Sequence, residues 1–434
     1  MVKALSTYPD LIQCANTKIG STSAAAILKL INVADEDVTV GGITLGEGEQ
    51  FSISHDTLPH VIAALTVTQE TTEATGAIFV RDVFQMNGFM FVADNSGNVI
   101  SYGINSDGSL TAAIDSVAHG GAVYGLGGYG NILFSARGGS GLTSYVVNTD
   151  GTFSEVQTNY QTGGSASHVY ATERYVYVAH GGGGLHVYQY NADTAEIIWL
   201  TSDDQGGIAY GVYADDNFIY LANGSSGVES YSFDGSVLLH LSTYNTGGTA
   251  WHLVSTGNSD IVFVADDTAG IVSLEVSSAG VLSLIQVNNM GGTGRARKVR
   301  WDGEFLYVGH INATGMSVVG VEDDGTMNVL CSDSQTGASV EGIEVYNSQI
   351  YASEGANGTE RYSLDAGYKL EVSCYFTPED DSTVVDSIEV ASDAVGSPDS
   401  ASLEGTGLGN AENGIGSYNY YEHALGRIAE QYKE

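Results

Sequence analysis

At 434 residues the chain exceeds the ~100 to 200 typical of one domain, and 43 % hydrophobic content with 9 % aromatics supplies a buried core. Fourteen Lys and Arg against 52 Asp and Glu give a formal charge of -38, a surface that repels phosphate backbones and anionic membranes and excludes nucleic acid as an expected partner. No stretch reaches the ~18 apolar residues of a membrane span, and 57 glycines and 26 tyrosines against 4 prolines suit short strands and tight turns better than helices, so the expected class is all-β and soluble.

The N-terminus, MVKALSTYPDLIQCANTK, has no apolar core of signal-peptide length, and export by a cleaved signal is not expected. Cys14, Cys331 and Cys374 are odd in number and lack metal-ligand spacing, so neither a disulfide framework nor a zinc site is expected. Within residues 1–75, AILKLINVADEDVTVGGITLGEGEQFSI reads as three strands punctuated by Gly41-Gly42 and Gly46, a small β docking domain. Followed by LPHVIAALTVTQ, it resembles docking domains of bacteriophage virion proteins.

From residue 76 to 377 the chain repeats itself. A small doublet recurs at Gly76-Ala77, Gly120-Gly121, Gly163-Gly164, Gly206-Gly207, Gly247-Gly248, Gly291-Gly292 and Gly337-Ala338, in steps of 44, 43, 43, 41, 44 and 46 residues. Four strands and their turns need ~40 to 45 residues, the size of a propeller blade. VADNSGNVISYGI, SARGGSGLTSYVV, VAHGGGGLHVYQY, LANGSSGVESYSF and VADDTAGIVSLEV align almost without gaps, with VGHINATGMSVVGV and ASEGANGTERYSL as looser copies. Asp-Gly at 107-108, 150-151, 234-235 and 324-325 predicts a two-residue hairpin between third and fourth strands. The expected fold is a seven-bladed β-propeller with its doublets on one face. Either the strand near Ala64 to Gln69 or the one at Lys369 to Phe376 could close the ring.

These units resemble the seven-bladed propellers of the LVIVD and YVTN repeat group and of phosphogluconolactonase-like proteins, which share a strand, small residue, Gly-rich turn and strand, then an Asp-Gly-Ser-Leu-like turn, here NSDGSL. The resemblance covers about 300 of 434 residues and implies the fold. It leaves function open, because such propellers serve as enzymes, adhesins and scaffolds.

Residues 378–434 turn acidic and Ser/Gly-rich, an expected linker in which Val384, Val385, Ile388 and Val390 could alternatively form a strand. The end carries Tyr418, Tyr421, Leu425, Ile428 and Tyr432 at helical spacing, a short amphipathic helix expected to dock on its own protein or a neighbour.

Three sets of residues are candidates for chemistry. Aligned positions after the second strands give a polar ring, Asp94, Arg137, His180, Asn223, Asp266, His310 and Glu354, read as a ligand site around a channel mouth or as polar starts of exposed turns. On the inner strands the doublets are followed by Arg81 and Asp82, Tyr124, His168, Tyr210, Trp251 and His252, Arg297 and Lys298, and Glu341; alternation lets only some of these face the channel, and no compact catalytic motif is among them. Arg295, Arg297, Lys298 and Arg300 gather four of 14 basic residues, an anion site or a salt-bridged contact with an acidic neighbour; alternation places the first two on one face and the last two on the other.

No catalytic residue, metal or cofactor is expected. The expected role is a structural or binding protein on the exterior of a phage or virus particle, assembled in the host cytoplasm without a signal peptide. Its termini would hold other virion proteins in an oligomeric assembly, with a host-surface glycan or protein as a further partner. A lactonase-like enzyme and a cytoplasmic scaffold are the alternatives.

Overall fold

In a computed structural model the described residues are 67–73 and 79–364, less 160–163, 258–259, 291–294, 312–314, 323 and 334–338, together with the strands among residues 5–62 and 369–408. The C-terminal residues Tyr418, Tyr421, Leu425, Ile428 and Tyr432 lie outside them.

Seven four-stranded antiparallel sheets make the blades of a propeller. Blade one runs outward through Val80–Met86, Phe89–Asp94, Asn98–Ile104 and Leu110–Ala118, and blade two through Gly125–Tyr129, Ile132–Ala136, Leu142–Val147 and Phe153–Asn159. Blades three to six repeat the order from inner strands His168–Ala171, Gly211–Ala214, His252–Ser255 and Arg295–Trp301. Blade seven takes Gly342–Tyr346, Gln349–Ser353 and Thr359–Leu364 from its own repeat, and its outer strand is Val67–Glu73.

That outer strand answers which segment closes the ring. VTQETTE is polar, as an open sheet edge requires. Its Gln69 donates to Glu360, and Ser363 donates to its Glu70. Lys369–Phe376, more apolar, sits instead as an inner strand of another sheet, between Ala26–Asn32 and Phe51–Ser54.

The apolar core lies between blades. Phe134 and Ala136 of blade two cluster with Val176, Val178 and Tyr188 of blade three, and Val262 and Val264 of blade five with Tyr220 and Val228 of blade four. No blade can bury its faces alone, so each repeat depends on its neighbours. Turns link them as well: Gly138, Gly181 and Gly224 make bridges to Ala166, Ala209 and Ala250 just ahead of the next inner strand. Each holds φ near +55°, a left-handed geometry that only glycine adopts readily.

The Asp-Gly hairpins differ from expectation in detail. Gly108 and Gly151 have φ of 83° and 84°, whereas their Asp partners keep negative φ, so these are type I turns with a glycine bulge rather than two-residue loops. Asp107 fixes the turn by accepting from the Ser109 amide at 2.9 Å and hydroxyl at 2.6 Å.

The chain divides into two units, the propeller at Val67–Ser363 and a second gathered from Met1–Thr66 and Leu364–Leu425. In the second, Leu5–Tyr8, Ala26–Asn32, Lys369–Phe376 and Phe51–Ser54 form one sheet. Leu11–Gln13, Asp399–Leu408, Thr383–Ser392, Val38–Leu45 and His60–Ile62 form another, with Thr17–Lys18 also on Asp399–Leu408. Thus the acidic stretch after residue 378 contains two ten-residue strands paired from Thr383↔Thr406 to Val390↔Asp399.

Candidate functional site

The inner strands converge on a channel whose wall can be followed in three tiers from the end where those strands begin. In the first, Glu341 approaches Arg81 at 3.9 Å and Arg297 at 3.5 Å. The Arg297 guanidinium lies 3.4 Å from the centre of the Trp251 ring, which in turn meets Tyr210 with ring centroids 3.9 Å apart. Arg81 lies over Phe79 at 4.8 Å and Tyr124 at 5.5 Å. Two cations, one carboxylate and several aromatic faces thus make a mouth held by charge and cation–π contact.

One residue further along, Asp82, His168, His252 and Lys298 form a chain across the channel. The Lys298 Nζ donates to Asp82 Oδ1 at 3.1 Å and lies 3.4 Å from His168 Nε2, which is 3.2 Å from His252 Nε2. The second Asp82 oxygen accepts from the Leu126 amide at 2.9 Å. Asp82 and Lys298 are 2 % and 8 % exposed, so each charge relies on the other for what it has lost in solvation.

The other three blades place Gly125, Gly211 and Gly342 in this tier, and their lack of a side chain is what admits the polar groups. A Cβ on Gly125 would stand 3.0 Å from the His168 Cα, one on Gly211 2.9 Å from the His252 Cα, and one on Gly342 2.8 Å from the Asp82 Cα. Each glycine accommodates the polar residue of the next blade.

Two residues on, alternation returns the strands to the same face. Here Arg300 binds Glu344 at 2.7 Å, and the Tyr170 and Tyr213 rings stand 4.5 Å apart. A cavity of about 1420 Å³ is lined by the second and third tiers and by turns between first and second strands, including Asn87, Gly130 and Arg174. None of Arg81, Tyr124, Tyr210, Trp251, Arg297 and Glu341 lines it, so the Asp82 to His252 chain is its floor.

Electrostatics keep this floor near neutral. Burial, reinforced by Lys298, holds both His168 and His252 well below the usual imidazole value. Burial raises the Glu344 carboxyl against the opposing pull of Arg300, and Glu344 in turn raises the Arg300 guanidinium. Each ion pair sets one carboxylate beside one cation, and burial disfavours a charge on either imidazole.

The basic cluster is therefore divided. Arg295 pairs with Asp267 beside the rim of the mouth, Arg297 belongs to the mouth, and Lys298 and Arg300 enter the channel. A bulge between Ala296 and Lys298 interrupts strict alternation at Arg297 and separates these directions.

The seven aligned polar residues are all buried, between 0 % and 9 % exposed, and are not assembled around one opening by any hydrogen bond between them. Each turns back into its own blade. Asp94 accepts from the Ser96 and Asn98 amides, Asn223 donates to the Gly206 carbonyl and to Glu229, and Asp266 accepts from Thr246 and the Gly248 amide. Arg137 reaches Thr143, His310 meets Ser317, and Tyr362 donates to Glu354. His180 stacks on His186 with centroids 4.2 Å apart. They fasten the turns to the doublet segments and third strands. Tyr170, Tyr213, Phe84 and Glu344 were not singled out in the sequence, although counting two residues on from His168, Gly211, Asp82 and Gly342 reaches them.

No protein-family model matches the sequence, and no curated protein matches it. Solved structures do resemble the chain. The RRP9 WD40 repeats are 10 % identical, with 75 % of this chain and 100 % of that one covered at a TM-score of 0.54. The WD40 β-propeller domain of Doa1 is 9 % identical, covering 71 % and 98 % at 0.53. A putative 6-phosphogluconolactonase from Bacteroides fragilis NCTC 9343 is 13 % identical, covering 68 % and 97 % at 0.50. At these identities the likeness is one of fold, and the fold it supports is the seven-bladed β-propeller.

Proposed function

We propose that the chain is a non-enzymatic binding and display protein, with the propeller as its recognition head and the two-sheet unit as its attachment module on the exterior of a virus particle. The observation that carries this reading is the chain order: a ring that closes on its own strand, Val67–Glu73, is inserted between the two halves of a second β unit. A propeller needs only its blades to bury its core, so the second unit calls for a separate purpose, and attachment is the simplest. The charge of -38 favours a place away from packaged nucleic acid, since juxtaposed like charges are costly.

Sedimentation of native material tests the reading. Recovery with large particles, and release of the head by proteolysis near residues 66 and 364, are expected; recovery only as a free chain overturns it. The Asp82, Lys298, His168 and His252 chain favours a second reading, a lactonase-like hydrolase acting in the cavity. Lys298 and Arg300, the cations that the inner strands bring to the cavity, are already paired with carboxylates, and no activated nucleophile is assembled there among the described residues, which supports binding over turnover. Sugar lactones should be hydrolysed no faster than in buffer, and turnover that vanishes in His168→Ala or His252→Ala would establish the second reading.

A further inference from the structure

Each blade places one residue just ahead of the Asp82 tier, and these residues divide the mouth of the channel into two arcs. Arg297, Glu341 and Arg81, in blades six, seven and one, form a charged arc with one more cation than carboxylate. Tyr210 and Trp251 in blades four and five and Tyr124 in blade two form an aromatic arc, with Ser167 of blade three between them. Both arcs stay open. Tyr124 and Tyr210 lie over the turn glycines Gly138 and Gly224, where a Cβ would stand 2.9 Å and 3.2 Å from their rings, and Tyr124 remains 42 % exposed. The Arg81 and Arg297 side chains keep 25 % and 23 % of their surface in solvent.

The charged arc is short of acceptors. Glu341 stands 3.9 Å from Arg81 and 3.5 Å from Arg297, beyond the ~2.7–2.9 Å of a charge-assisted hydrogen bond. Arg81 gives its Nε and Nη2 donors to Asn95 Oδ1, while Nη1 and Nη2 of Arg297 have no hydrogen-bond partner among the described residues. Burial lowers the Arg297 guanidinium against the pull of Glu341, and Arg81 lowers it further, so an added anion would relieve both cations. Arg295 has no such need, because Asp267 accepts from its Nε and Nη2. Guanidinium groups with unused donors select a carboxylate, and aromatic faces beside them select a ring whose C–H face can lie flat. A sugar acid carries both on one residue. A polyanion is disfavoured by the charge of -38, which acts at longer range than the two arginines. The chain from Asp82 to His252 crosses the channel just below, so a ligand is received by its end rather than threaded. We propose that the mouth binds the terminal acidic sugar of a glycan, with its carboxylate on Arg297 and Arg81 and its ring against the aromatic arc. This names the ligand of the recognition head and rests on that reading.

Ligand-observed NMR titration of the full chain tests this, with the methyl glycosides of glucuronic acid and N-acetylneuraminic acid as probes. At least one should bind with a dissociation constant below about 1 mM, at least about tenfold tighter than methyl glucoside, which lacks the carboxylate, acetate, which lacks the ring, or inorganic phosphate. Arg297→Gln should weaken that binding about tenfold, and Tyr124→Ala, at an exposed ring, gives a second readout should the first variant fail to fold. Arg174→Gln, which alters an exposed cation lining the cavity, should leave it unchanged. Four results overturn the proposal: no binding of either acidic sugar, equal binding of glucoside, acetate or phosphate, tighter binding of the dipeptide Gly-Phe, or a loss that follows Arg174 instead of Arg297 and Tyr124. Acidic-sugar binding by a chain recovered only as free material leaves this inference standing and overturns the display reading; recovery with particles but without such binding does the reverse.

Discussion

The inner and outer edges of the same blades obey opposite rules. Around the channel, charge is dense, buried or half-buried, and paired: Asp82 with Lys298, Glu344 with Arg300, Glu341 with Arg297. At the rim of blades four and five the strands carry no charge and expose leucine and valine. Position in the ring accounts for the contrast. Seven inner strands converge, so in the tier of Asp82 and Lys298 polar side chains fit where a neighbouring blade offers glycine, and any charge admitted must bring its partner. Outer strands diverge into solvent, where neither constraint acts.

The largest expected effect lies at the inner edge. Lys298→Met removes the cation and leaves the Asp82 carboxylate buried, which should cost about 3–5 kcal/mol of stability. Replacing Asp82 with Asn in the same chain removes the stranded charge and should recover most of the loss. Urea denaturation followed by fluorescence measures both. A single-variant loss below about 1 kcal/mol would place the pair among solvated ion pairs and break the contrast.

Much of this inner edge was legible in the sequence. The doublet period gave the blade count, and the aligned series Asp82, Gly125, His168, Gly211, His252, Lys298, Gly342 consists of glycine and polar residues alone. The ends were not legible in the same way. Both Val67–Glu73 and Lys369–Phe376 have strand composition and lie next to the repeats, and pairing partners distant in sequence decide between them. The direction of Arg297 was hidden because a bulge has no composition of its own. Burial of Asp94, Asn223 and Asp266 was hidden too. A polar residue opening a turn reads the same whether its side chain meets water or folds back onto the turn's amides.

A smaller effect per group, shared by both edges and the blades between, should appear on acidification. His119, His168, His180, His186, His252 and His310 are all held below the ordinary imidazole value, with burial the first cause in each, and His186 and His310 are pushed down to about 4. The unfolded chain takes up these protons near pH 6.5 while the folded chain resists, so their contribution is complete above that pH and is lost as pH falls toward 4. Each fully buried imidazole can contribute a slope of up to about 1.4 kcal/mol per pH unit. Burial raises Glu344 and Asp266, and it raises Glu354 to about 7. These folded carboxyls hold protons that the unfolded chain has released, and so oppose the trend over the same range. Thermal melts from pH 7.5 to 4.5 should show a net fall, flattened in His186→Phe. A melting temperature that rises on acidification would mean the carboxyls outweigh the histidines.

The smallest effect belongs to the rim. Leu239 is 54 % exposed and lies on an outer strand without charge, so Leu239→Thr removes little area that folding had taken from water and keeps a residue that suits a strand. Unfolding should change by no more than about 0.5 kcal/mol in urea denaturation. Leu253, fully buried between blades four and five, provides the scale: Leu253→Ala should cost about 2–5 kcal/mol in the same assay. If Leu239→Thr approached that cost, the rim leucine would be part of the fold's own core and the contrast between the two edges would break. A near-zero change leaves Leu239 without a role in the folding of a single chain and keeps the contrast between a buried inner edge and a solvated rim.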